Sequence, residues 1–413
     1  MSHINFLDLQ RTVDSLRTQA EPGAALIDAL VELSKVLIEV DLAQSTQLAE
    51  EALSLAEKLN DLHGQAKALV RLSWLNVTQG HPDQALSQAM HADWLAHRVG
   101  DRELQTGALY VIARLHQQVG NFSQAQSSWN RYLHLAQTQN NTALEADARN
   151  ALGILYGEMG NHTLSLASYE ITLKLYSEAQ DPLAVPALNN IGYALCKLGQ
   201  FRRAVGYVRQ ALERCPDTHK EWRISFLDTL GDTFLGLGQP VQALEYFNQA
   251  LALGDVATDQ YQLAQLWVNC SRAEIARARL ADVAAEAHSA AIQAAEKALG
   301  IAQAAGIRAL QADALEQIYL VYKAMQAFGL AVQYHEQWAE LRQSLMQASR
   351  ASRSKLTEAA HVARLQSQQV ELDQFYAEEL KRRIDVRSGD LNRERAKILT
   401  RAMQAEWQQR PAQ

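Results

Sequence analysis

The sequence predicts an all-α superhelical solenoid of about eight helix pairs followed by a long C-terminal helix, and three observations carry that expectation. Apolar residues recur three and four positions apart in segments rich in Ala, Leu, Gln and Glu, and only seven prolines interrupt 413 residues. That pattern favours helix almost everywhere. Val and Ile seldom alternate with polar residues over four or more positions, so no strand is expected. A glycine turn also returns at a fixed interval. The segments TQGHPDQAL, QVGNFSQAQ, EMGNHTLSL, KLGQFRRAV and GLGQPVQAL place Gly80, Gly120, Gly160, Gly199 and Gly238 at spacings of 40, 40, 39 and 39 residues, the mark of a repeat array.

Each unit repeats two small side chains around that turn. Five residues after the glycine come Ala85, Ala125, Ser165, Ala204 and Ala243; seven before it come Ser73, Ala113, Gly153, Gly192 and Gly231. Small residues at these points let the two helices of a hairpin approach closely. A mid-helix glycine, which costs about 1 kcal/mol in isolation, is then offset by packing.

These columns resemble the tetratricopeptide repeat, in which a helix pair carries adjacent hydrophobic and small residues, an aromatic one turn on, then glycine, then alanine. Leu152-Gly153 with Tyr156 and Gly160 follows that order, as do Ile191-Gly192 with Gly199 and Ala204, and Leu230-Gly231 with Phe234, Gly238 and Ala243. The period departs from the family's usual 34 residues and resembles its longer, 40-residue variety. The resemblance implies a right-handed superhelix whose first helices line a concave face.

Outside these units the register extends in both directions. LAEEALSLAEKLND aligns with AMHADWLAHRVGD and places a divergent first unit at about residues 22–61, leaving residues 1–21 as an N-terminal helix or cap. Downstream, QLWVNCSRAEIARARL reads as a first helix whose turn near residues 278–280 lacks glycine. The next turn, near Gln326, comes about 47 residues later; an insertion of two helical turns lengthens the alanine-rich helix at 282–305 without rotating its buried face. ALEQIYLVYKAM and FGLAVQYHEQWAEL form the last pair, and the solenoid is expected to span residues 22–348.

From residue 349 to 413 the chain reads as a long charged helix. Residues 350–413 hold 13 Lys or Arg against 9 Asp or Glu, a balance of +4 in a chain of net −7. Every seventh residue is apolar: Leu356, Ala363, Val370, Ala377, Ile384, Leu391, Ile398 and Ala405. The matching second column is poor, so the seam is narrow. Such a helix either pairs with a second chain, as a coiled-coil homodimer, or folds back on the solenoid with Leu365, Leu372, Phe375, Tyr376 and Leu380 as further anchors. Ser388-Gly389-Asp390 is a candidate break, with Asp390 capping a last helix.

Composition and motifs exclude more than they assign. With 48% apolar and 21% charged residues the chain is of ordinary globular composition. A pI near 6.0 gives no electrostatic reason to expect nucleic acid as a partner. No leader-like or membrane-spanning apolar run is present, so a cytoplasmic location is expected. Cys196, Cys215 and Cys270 are too far apart for CxxC chemistry and read as buried thiols. The twelve His residues lack metal spacing, and the phosphate-loop, dinucleotide, zinc-protease and serine-hydrolase motifs are absent. No catalytic residue, metal or cofactor is expected.

What remains is the inner face that the resemblance implies. Counting back from the turn, its groove positions fall on Arg71, Trp74, Tyr110, Arg114, Gln118, Asn150, Asn189, Asn190, Tyr193, Lys197, Asp228, Asp232 and Asn269. Asn offers both a donor and an acceptor, so a ladder of Asn can hold a peptide backbone without demanding one sequence. LNNIG resembles the stretch with which long-repeat relatives such as kinesin light chains do this. The expected function is a non-catalytic scaffold or adaptor binding a protein or peptide segment. The order of repeats then charged helix resembles the sensory half of bacterial signalling proteins such as those linked to diguanylate cyclases. The alternative is a peptide-responsive regulator of the quorum-sensing type.

Overall fold

The structure, a computed structural model, describes residues 6–18, 23–254, 259–279 and 283–408, with the side chains of 366 and 370–408 excepted. Among the described residues there are seventeen helices and no strand. A short helix α1 (Phe6–Arg17) precedes eight consecutive pairs. These are α2 (Ala24–Leu37) with α3 (Leu42–Lys58), α4 (Leu62–Thr78) with α5 (Pro82–Val99), α6 (Arg102–Gln118) with α7 (Phe122–Thr138), and α8 (Thr142–Glu158) with α9 (His162–Glu178). Then come α10 (Ala184–Lys197) with α11 (Phe201–Arg214), α12 (Lys220–Gly236) with α13 (Pro240–Leu253), α14 (Gln260–Arg277) with α15 (Ala284–Ala304), and α16 (Arg308–Ala324) with α17 (Phe328–Gln408).

The 40-residue sequence period is two structural steps of about 20. A left-handed residue closes a helix at Asn60, Gly80, Gly100, Gly120, Asn140, Gly160, Gln180 and Gly199. At each of these ends the second N–H beyond the helix reaches back five residues, as in His81 N to Asn76 O at 2.8 Å, satisfying carbonyls the helix leaves open. Except after Gln180, the next residue is the N-cap of the following helix. Asp61, Asp101, Asn141 and Asn161 cap it with a side-chain oxygen on an early N–H. Turn and cap together fix nearly equal helices, which is why the pairs stack in register.

The small-residue columns lie where the helices of a pair meet. Ala85, Ala125, Ser165, Ala204 and Ala243 are all buried. A Cβ added at Gly192 would sit 2.2 Å from Val208 Cγ2, and one at Gly231 would sit 2.2 Å from Phe247 Cε1. Glycine is thus required by the facing side chain. The seven-residue insertion appears as a longer α15, of 21 residues, in place of the 14 to 18 of the second helices before it. It adds buried alanines at Ala287, Ala291, Ala295, Ala298 and Ala302 on one stripe.

First helices of neighbouring pairs touch each other at α2/α4, α4/α6, α10/α12, α12/α14 and α14/α16, whereas among the described residues second helices of neighbouring pairs make no comparable contact. The array therefore curves with the first helices inside.

The last helix departs from the expected plan in its continuity and takes one of the two courses expected of it. It runs unbroken from Phe328 through Gly389 to Gln408, so neither residue 349 nor Ser388-Gly389-Asp390 interrupts it. Intact helical hydrogen bonding through Gly389 leaves Asp390 no helix to cap. It also returns to the solenoid. Leu356 and Ala363 are 1% and 3% exposed, and Leu356 packs with Ala85, Leu86, Ala89, Ile112, Leu115 and Val119 of α5 and α6. The alanines of α5 present little bulk, so α17 can lie close to it. Those two members of the heptad column are consequently occupied within the chain; Val370, Ala377, Ile384, Leu391 and Ile398 lie outside the described side chains.

Candidate interaction groove

The inner face is built from equivalent positions of successive first helices. Six residues before the turn stand Trp74, Arg114, Ile154, Tyr193 and Asp232, and, before the turn at Gln326, Leu320. The four apolar members are 37% to 43% exposed, unusual for large side chains on an inward face. Sequence reasoning singled out Trp74 and Tyr193 but passed over Ile154 and Leu320. Counting six back from each turn would have found both.

Aromatic side chains join two units in the first half of the groove. Trp74 stacks on Tyr110 with centroids 5.0 Å apart and planes at 24°, and Tyr110 meets the buried Trp129 edge-on at 5.3 Å. Arg114 lies with Cζ 5.9 Å from the Tyr110 ring centroid. A cavity of about 1010 Å3 opens here, lined by Tyr110, Arg114, Gln118, Asn150, Ile154 and, from α17, Ser349. A second, of about 680 Å3, continues toward the N-terminus over Lys35, Lys67, Arg71 and Trp74.

The polar positions form ladders between units, one repeat apart. Asn190 Nδ2 donates to Asn150 Oδ1 at 3.0 Å, Asn269 Nδ2 to Asp228 Oδ1 at 2.8 Å, and Arg272 Nη1 to Asp232 Oδ1 at 3.2 Å. Lys197 approaches Asp232 at 3.7 Å and also lies over the Tyr193 ring, 5.0 Å from its centroid. Arg71 is buried, donating to Ser34 Oγ at 2.8 Å and to the Ser34 carbonyl at 2.6 Å. Burial pushes its guanidinium down to about 10. Burial, reinforced by the Asp232 charge, pushes the Asp228 carboxyl up to about 7, against the hydrogen bond from Asn269.

The structure thus divides the sequence-selected groove residues into two sets. Arg71, Asn150, Asn190, Asp228, Asp232 and Asn269 have partners within the chain and hold one unit to the next. Trp74, Arg114, Gln118, Tyr193 and Lys197 are exposed, and Tyr110 presents a ring to the cavity. Asn189 belongs to neither: it is buried, and its Oδ1 has no hydrogen-bond partner. Arg272, which bridges Asp232 and Asn269, was not singled out in the sequence because its unit lacks the turn glycine that sets the count.

Residues 183–254, which cover α10 to α13, match the sequence model of the tetratricopeptide repeat family. The chain folds as a tetratricopeptide-repeat-like solenoid. Among solved structures, a Signal Transduction ATPase with Numerous Domains (STAND) protein with a tetratricopeptide repeat sensor, from Pyrococcus horikoshii, is 13% identical. That alignment covers 86% of this chain and 55% of the other, with a TM-score of 0.54. BtubC (BKLC) from P. vanneervenii is 22% identical over 55% of this chain and 92% of its own, with a TM-score of 0.44. A Rap protein complexed with Competence and Sporulation Factor is 13% identical over 78% of this chain and 99% of its own, with a TM-score of 0.46. At 13% identity the likeness to the STAND protein is one of fold. Among the described residues, no cluster of His, Cys, Asp or Glu has the geometry to hold a metal, and no helix is long and apolar enough to cross a membrane.

Proposed function

We propose that the chain is a non-catalytic interaction scaffold that binds a protein or peptide segment along the inner face of the solenoid. The observation that carries this reading is the exposed column of Trp74, Ile154, Tyr193 and Leu320 at one repeat position. Apolar side chains of this size gain about 1.5–3 kcal/mol each when covered, and a row of them at the repeat interval suits an elongated ligand. Arg114, exposed within the same column, would order acidic side chains of the ligand. A role in cytoplasmic bacterial signalling belongs to the same proposal, resting on the repeat-then-helix order.

Site-specific photocrosslinkers test the groove. Placed at Tyr193 or Ile154, they should capture a partner that the same group at the outward, exposed Lys174 or Glu245 does not. Trp74→Ala and Tyr193→Ala should each weaken the captured complex several-fold with helicity unchanged. Capture from the outer positions alone would remove the inner face from the function.

The return of α17 to α5 favours a second reading, in which a peptide in the groove shifts α17 and thereby alters another protein. A homodimer would have to use the helix beyond Ala363. Light scattering on the full chain and on one ending at residue 348 separates these: a dimer that becomes a monomer on truncation supports pairing, and a monomer in both cases leaves α17 to the solenoid alone.

A further inference from the structure

We propose that the cavity enclosed between α17 and the second and third repeats is a binding site for a phosphate-type oxyanion, and that its occupancy holds α17 in place. The cavity measures about 440 Å3 and is assembled from α5, α6, the start of α7, and Thr357, His361 and Arg364 of α17. It exists only while α17 is docked.

Its charge is unbalanced. Among the lining residues Asp93 is the one carboxylate, and it is engaged by Arg131 at 2.9 and 3.2 Å. Arg364 and His361 line the opposite wall, with no ion pair or hydrogen bond to any described residue. An Arg guanidinium with open donors, facing a partly enclosed space, suits an oxyanion in geometry and in charge.

One further feature adjoins the same space, the start of the 17-residue α7. Asn121 stands at its N-cap but makes no side-chain cap, whereas Asn141 and Asn161, at the same place in other helices, do. The first N–H groups of α7 therefore lack a side-chain acceptor at the positive end of the helix, beside the cavity. Several acceptor oxygens on one small group would serve Arg364 and these N–H groups together. The volume exceeds that of a bare phosphate, so a small phosphate monoester fits the same chemistry.

The test uses the full chain and inorganic phosphate, with chloride at matched ionic strength as reference. Phosphate should bind saturably and slow amide hydrogen exchange in residues 353–364. Arg364→Gln should weaken that binding about tenfold or more while leaving helicity and melting in chloride unchanged, and Arg364→Lys should restore part of it. Tighter binding of glycerol phosphate than of inorganic phosphate would identify a monoester as the occupant; equal binding would identify the free ion. Phosphate affinity unaltered by Arg364→Gln, absence of saturable binding, or binding without protection of residues 353–364 would each overturn the proposal.

Discussion

Arg353 donates from Nε to the carbonyl oxygen of Val119 at 3.3 Å, joining residues 234 positions apart. In a repeat array, units ordinarily contact only their neighbours. Here the last helix ties the eighth pair to the second and third. Leu356, one turn on from Arg353, fills the apolar seat beneath that bond.

Leu356→Asp should release α17 without unfolding the repeats, because a carboxylate in that seat would be buried without a partner, at a cost of several kcal/mol. Trypsin cleavage at Arg350, Arg353 and Lys355 measures it. The variant should be cut there much faster than the parent while far-UV ellipticity stays the same. Equal cleavage rates would mean that the docked position is not the dominant one in solution.

Gly192→Ala should destabilise the chain by about 1–3 kcal/mol, despite the gain of about 1 kcal/mol that alanine brings to a helix. The added methyl would meet Val208 Cγ2 at 2.2 Å. Combining it with Val208→Ala should cost less than the two changes summed, since the second vacates the space the first needs. Urea unfolding of the four proteins gives the coupling. An additive result would place the strain elsewhere.

Asp228 should make stability fall as pH rises. Its folded carboxyl titrates near 7, above its unfolded value of 3.8. Between those values the folded state therefore holds a proton that the unfolded state has released. Its contribution is complete below about pH 4, declines through the interval and is lost above about pH 7. Asp228→Asn keeps an oxygen to accept from Asn269 and removes the ionisation. It should flatten this part of the pH profile and stabilise the chain at pH 8 by about 1–3 kcal/mol. Thermal melts from pH 4.5 to 8 on both proteins check the sign, and parallel profiles would refute it.

The three thiols should be sluggish toward alkylation in the folded state. Burial pushes Cys196 and Cys215 upward, and Cys270 to about 12. Because the thiolate is the reactive form, iodoacetamide at pH 7.5 should modify them far more slowly than after denaturation. Cys196, only half-buried, should react first. Rapid labelling of Cys270 in folded protein would contradict the packing around α14.

How far the sequence disclosed this arrangement depends on whether the cause was local. The turn glycines, the small columns and the eight pairs were legible because each unit states them again, and a left-handed turn or a crowded helix contact leaves few residue choices. The 20-residue step was harder to see: Asn60, Asn140 and Gln180 take the left-handed turn in place of glycine. The ladders were only half legible. Sequence spacing put Asn150 and Asn190 on corresponding positions, but not that they bond to one another, nor that Arg71 turns inward to Ser34. The docking of α17 was least legible. A single apolar column at heptad spacing serves equally against a second helix or against an alanine-lined ledge, and Ala85 and Ala89 gave no sign that they formed one. The cavity beneath it is assembled from residues more than 200 positions apart, beyond the reach of any local pattern.

The bond between Arg353 and Val119 also sets an order of events during synthesis. The ribosome adds about 5–20 residues per second, so the 234 residues separating the two take about 12 to 47 s to emerge. Throughout that interval the early repeats can fold, yet Leu86, Ile112 and Leu115 stand bare where Leu356 will later settle. The nascent chain thus carries a temporary greasy ledge, open to chaperones or to a neighbouring polypeptide on the same messenger, until its own final helix arrives to cover it.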